Sequence, residues 1–133
     1  MRTLVSAFIV TFALAGPALA ADMTGADIKA LSSGTSVYLE TTGDSVAGKA
    51  GQGVIYYAED GTSLYKTPAG AMWHGKWEIK DNTNCTAWQE RPGTACSKYD
   101  KTGDVTSIVD AQSGKTRAKI VKTAPGNAEK LAP

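Results

Sequence analysis

Residues 73–80 read Trp73-His74-Gly75-Lys76-Trp77-Glu78-Ile79-Lys80. Trp73, Gly75, Trp77 and Ile79 fall on one face, and His74, Lys76, Glu78 and Lys80 on the other. A period of two with one apolar and one polar face marks a strand buried on a single side. Turn residues bracket it, with Pro68 and Gly70 before and Asp81-Asn82-Thr83-Asn84 after. The same grammar repeats outward. Val37 and Leu39 alternate with Ser36, Tyr38 and Glu40, and the glycine-rich stretch from Gly43 to Gly53 reads as a mobile loop. Residues 53–59 are apolar on both faces, which suggests a central strand. Asp60-Gly61 is a strong hairpin signal, with Thr62 to Lys66 as the returning strand. Two strands surround Cys85 and Cys96, and residues 105–110 and 116–121 form a last hairpin. Only Thr24 to Leu31 reads as a helix: Thr24 caps it, Asp27 favours its first turn, Ile28 and Leu31 share a side, and Gly34 stops it. The sequence therefore predicts an all-β fold, a small antiparallel barrel or sandwich of about seven or eight strands with one short N-terminal helix.

Residues 1–20 carry the parts of a secretion signal. Arg2 is followed by an apolar run from Leu4 to Leu14, shorter than the roughly 20 residues a membrane span takes, and Ala18-Leu19-Ala20 offers a cleavage site. The expected organisation is a signal peptide over 1–20, one β-rich domain over 21–123 and a disordered tail over 124–133. The expected location is the periplasm, or the medium after secretion. In an oxidising compartment Cys85 and Cys96, the only cysteines, are expected to form a structural disulfide. The register carries a tension. Pairing Cys85 with Cys96 centres the hairpin between Glu90 and Arg91, whereas a Pro92-Gly93 turn lies two residues later. A longer loop or a bulge is expected near residues 88–93.

The run Tyr57-Ala58-Glu59-Asp60-Gly61-Thr62, then Gly75-Lys76-Trp77, then Cys85-Thr86-Ala87-Trp88 and Cys96-Ser97-Lys98-Tyr99 resembles a family of small exported proteins of Gram-negative bacteria, a domain of unknown function. The likeness spans roughly residues 25–110 and rests on the order of the motifs. It implies an exported, β-rich, disulfide-bridged domain, and it supplies no catalytic residues.

Charge excludes more than it assigns. The chain has 14 basic and 13 acidic groups, and without Arg2 the count is 13 against 13. A neutral chain is a poor general nucleic-acid binder. One histidine and two cysteines leave little for a transition-metal site, and no metal or other cofactor is expected. Residues 21–65 carry six acids against two bases, whereas residues 101–133 carry six bases against three acids. Lys115, Arg117 and Lys119 alternate, so on a regular strand they share a face. That face suits an anionic partner such as lipopolysaccharide, peptidoglycan or an acidic protein, or else protects an edge strand.

Aromatic residues supply the remaining candidates. The only two phenylalanines, Phe8 and Phe12, lie in the signal, so Trp and Tyr must fill the core. Trp73 and Trp77 read as core or as pocket walls, and a small-ligand pocket would be lined by Tyr56 or Tyr57 and the tryptophans. Trp88 has the opposite parity to Cys85; if the disulfide faces inward, Trp88 faces outward as a binding anchor, or lids the barrel end. His74 reads as a solvated surface residue. No sequence motif assembles a catalytic set. The expected function is a non-enzymatic binding module of the bacterial envelope. The alternatives are an inhibitor-like protein-interaction domain and, further off, a hydrolase-type enzyme.

Overall fold

The computed structural model describes residue 16 and residues 19–133. The secretion signal expected over 1–20 lies, apart from residues 16, 19 and 20, outside the described residues. The elements are β1 (Ala21–Asp22), α1 (Gly25–Ser32), β2 (Thr35–Thr41), β3 (Gly51–Tyr57), β4 (Thr62–Lys66), β5 (Met72–Lys80), β6 (Thr83–Trp88), β7 (Thr94–Thr102), β8 (Val105–Asp110) and β9 (Thr116–Pro125). From β2 to β9 each strand pairs antiparallel with the next, and β9 pairs back onto β2. The eight strands thus close into an up-and-down barrel, which settles barrel against sandwich and leaves no unpaired edge among them. The short β1 adds to β7 at Asp100 and Lys101, beyond the stretch that β6 covers.

α1 closes one end. Thr24 Oγ1 accepts the Asp27 N–H at 3.2 Å, and Asn82 Oδ1 accepts the Gly25 N–H at 2.7 Å. Ile28, on the inward side, is fully buried in the core. Gly34 follows with a φ of 69°, a left-handed stop that glycine adopts without strain. Asp81 and Asn82, both at positive φ, make the tight β5–β6 turn at this same end. The closed end also holds the β3–β4 and β7–β8 hairpins.

The period-two face of β5 lies as its pattern dictates: Trp77 is buried while Lys76, Glu78 and Lys80 are exposed. Inside, Tyr57 meets Trp77 edge-on at 5.2 Å, and Tyr65 lies 5.6 Å from Trp88. Two inward glycines make room for these rings. A Cβ at Gly53 would stand 2.9 Å from the Tyr65 ring, and one at Gly75 would stand 2.8 Å from the Trp88 ring.

Residues 124–133, expected as a disordered tail, are ordered and pack on the outside of the barrel. β9 runs on to Pro125. Ser36 Oγ donates to the Gly126 carbonyl at 2.7 Å and accepts the Ala128 N–H at 3.1 Å. Asn127 brackets Leu131 through both amide atoms, at 2.9 Å each. Leu131 is only 7% exposed because it covers Val54 and Leu64, outward apolar residues of β3 and β4. The low apolar content of the segment hides this, since one leucine does the covering.

Candidate functional site

The open end of the barrel is formed by four connections, residues 42–50, 67–71, 89–93 and 111–115. The interior behind them is nearly full. The cavity there is about 40 Å³, lined among others by Tyr57, Trp88, Thr41, Ser97 and Arg117, and is large enough for a few waters. Small-molecule sites run from about 300 Å³ upward.

Cys85 and Cys96 face each other in the β6–β7 register and are bridged. Cys85 shares its side of β6 with the exposed Ala87, so the disulfide lies on the outer wall. This parity corrects the expectation for Trp88. It points inward, is 5% exposed, and packs against Tyr65 and Trp73. It is a core residue that anchors the start of the rim, not an exposed anchor. Tyr57 is likewise buried, and Trp73 is half-buried on the inner face. The structure therefore brings Tyr57, Trp73 and Trp88 together as barrel filling.

The expected basic stripe is broken by a bulge. Ile108 pairs with Ala118 and Val109 with Thr116, so Arg117 is the unpaired extra residue of β9. A bulge re-aims the side chain it carries. Arg117 turns inward, is 7% exposed, and donates from Nη2 to Asp110 Oδ2 at 2.6 Å and from Nη1 to Ser97 Oγ at 3.1 Å. The guanidinium beside Asp110, with the N–H groups of Gln112 and Ser113, holds its carboxyl down at about 2. Lys115 stays exposed, 3.7 Å from Asp44, and Lys119 faces out opposite Glu40. The three basic residues do not form one face.

The loop 89–93 is exposed along its whole length, and its base is fixed from several sides. The disulfide ties its two strands, Trp88 is buried at its entry, and the Gln89 N–H donates to the His74 carbonyl at 2.7 Å. Glu90 accepts the His74 N–H at 2.8 Å and meets His74 Nδ1 at 2.8 Å. Burial would raise the Glu90 carboxyl, but the bonds from His74 outweigh it and hold the group below its usual range. His74 is thus paired on the outer wall rather than merely solvated. The β6–β7 register and the Pro92-Gly93 turn coexist because the connection is a five-residue loop, as the sequence tension required.

No local sequence signal marks Asp110, Ser97 or Glu90 as site residues. Glu90 meets His74 because Gly75 pairs with Trp88, and the extra residue that turns Arg117 inward has no local signal. Among the described residues, no group of three or more His, Cys, Asp or Glu side chains is placed to hold a metal ion. No helix of the described residues is long and apolar enough to cross a membrane.

Together these features define a closed eight-stranded antiparallel barrel with a helix-plugged end, an aromatic interior and a disulfide-stapled rim. No family model, curated protein or solved structure matches the chain. The disulfide fits an oxidising compartment.

Proposed function

We propose that the protein is an exported, non-enzymatic binding module of the bacterial envelope, periplasmic or secreted, that engages a partner protein with the rim of its open end. The observation that carries this reading is the loop 89–93, exposed throughout yet pinned by the disulfide, by buried Trp88 and by the His74–Glu90 bonds. A loop already ordered in the free molecule loses little entropy on binding. The near-full interior argues against a ligand held inside the barrel. Hydrolase chemistry has less support. Asp110, engaged by Arg117 and held near 2, is a poor proton acceptor at neutral pH. The motif resemblance to small exported proteins belongs to this proposal as well.

A position-resolved crosslink tests it. A photoreactive residue is placed at Pro92 on the rim, at Lys98 on the outer wall, or at Asp104 at the closed end, all exposed. The three proteins are exposed to periplasmic extract. A discrete crosslinked product from position 92 and none from 98 or 104 is expected. Equal labelling at all three positions refutes the rim as the binding surface.

A further inference from the structure

Resting on that reading, we infer that the rim takes a carboxylate-bearing segment of a partner protein, seated in the groove between Arg91 and the Arg117–Asp110 pair. The charges along the barrel axis point to this chemistry. The three hairpin connections at the closed end, residues 58–61, 81–82 and 103–104, carry Glu59, Asp60, Asp81 and Asp104 and no basic residue. The open-end connections carry Lys49, Arg91 and Lys115 against Asp44 and Glu90. Glu90 is engaged by His74, and Asp44 lies beside Lys115. Counted over these connections, the closed end carries four acids and no base and the open end three bases and two acids, so the stapled loop lies at the more positive end.

The groove lies at that end, beside the stapled loop. It has a volume of about 280 Å³ and runs between the loop residues Arg91 and Pro92, with Thr94 at the start of β7, and the turn residue Gln112. That space suits one or two inserted side chains rather than a whole small-molecule ligand. Asp110 and Arg117 also line it, and their charges cancel within the pair. Arg91 remains as uncompensated charge. Its guanidinium reaches only the Val46 carbonyl, at 3.4 Å, and it meets no carboxylate among the described residues. A planar carboxylate matches guanidinium donors better than any other common protein group. Burying Arg117 at a bulge is a costly arrangement for a wall residue, and its Nε finds no partner. Bulges, which re-aim a side chain, are over-represented at barrel rims and next to active sites.

The test is an NMR titration of the ¹⁵N-labelled protein with three probes. These are an end-blocked Asp-Glu-Asp-Glu peptide, its Asn-Gln-Asn-Gln counterpart, and inorganic phosphate. The acidic peptide is expected to shift the amides of Arg91, Gly93, Thr94 and Gln112, and the neutral peptide to leave them unmoved. Arg91→Glu is expected to weaken binding about tenfold, while Lys98→Glu on the outer wall leaves it unchanged. Arg91 is exposed, so the variant's spectrum away from the groove should match the parent's. Equal shifts from the neutral peptide, shifts centred on Lys98 or Lys119, or a response to phosphate alone each overturn the assignment. Capture of a partner at position 92 that survives Arg91→Glu keeps the rim reading and refutes the acidic segment. Absence of such capture, with the acidic peptide still in the groove, refutes rim docking and leaves the carboxylate site standing.

Discussion

A Cβ at Gly75 would stand 2.7 Å from the Ala87 carbonyl oxygen as well as 2.8 Å from the Trp88 ring. One of those neighbours is backbone held in the β5–β6 ladder, so the wall itself has to move. Gly75→Ala should therefore lower stability by about 1–3 kcal/mol, as overpacking does elsewhere, and urea denaturation reads this directly. Trp88→Ala works the other way, by opening a void beside Tyr65 and Trp73, and should cost about 3–5 kcal/mol. An acrylamide-quenching experiment separates this inward Trp88 from an exposed one. Trp77 and Trp88 should show little quenching, and half-buried Trp73 more. Asp110 makes a third case. Asp110→Asn leaves the Arg117 cation in the wall without its partner and should cost about 3 kcal/mol, at the low end for a buried pair because the carboxylate is 24% exposed. Its carboxyl, near 4 in the unfolded chain and about 2 when folded, gives stability that is complete above the unfolded value. That contribution drains away as pH falls from about 4 through about 2, and the acid-unfolding midpoint of Asp110→Asn should lose this part of its pH dependence.

Among the elements, those whose pattern depends on neighbours in sequence were legible in the sequence, and those fixed by distant partners were not. The alternation in β5, the Asp60-Gly61 turn and the Thr24 cap are local, and each lies where the residues put it. All eight barrel strands have a counterpart in the sequence reading. β3 was readable only in part. Its two apolar faces suggest a central strand, and in a closed barrel every strand is flanked on both sides; yet the outer face is apolar because the C-terminal segment lies over it. The faces of β9 do not follow its alternation, because bulges sit at Arg117 and at the Tyr38/Leu39 step, and a one-residue slip moves a side chain to the other face of a sheet. The rim was legible as a loop but not as a site, since its bonds to His74 span 16 residues and its groove joins two hairpins. The strap over β3 and β4 yields a prediction of its own. Deleting residues 126–133 uncovers Val54 and Leu64 and should lower stability by about 2 kcal/mol, the worth of one large apolar burial. Binding of a hydrophobic dye should rise in the truncated protein while the far-ultraviolet spectrum of the barrel persists.

Across the whole molecule, the absence of phenylalanine after Phe12 shapes how the fold responds to alkali. Tyrosine rings occupy volume that phenylalanine otherwise fills, so ionisable hydroxyls lie inside the barrel. Tyr57, Tyr65 and Tyr99 are buried, whereas Tyr38 and Tyr56 lie on the outer side near the C-terminal strap. Burial raises all three interior hydroxyls, Tyr65 to about 12 and Tyr57 well above the usual 10. The Asn84 amide donates to the Tyr99 hydroxyl at 3.2 Å. Desolvation disfavours a phenolate there. Each of these groups binds its proton more tightly in the fold than in the unfolded chain. Stability is therefore complete below about 10 and falls as pH rises through the interval from about 10 to about 12. Absorbance near 295 nm should show a minority of the five tyrosines ionising while the barrel stays folded. The rest should ionise together in one step that coincides with loss of the near-ultraviolet circular dichroism. If all five titrate smoothly near 10 with the dichroism intact, the interior hydroxyls are not sealed from water and the aromatic packing of the barrel is not as described. Tyr65→Phe supplies the internal control. It removes one interior hydroxyl while keeping the ring against Trp73 and Trp88, and should raise the pH at which the barrel opens.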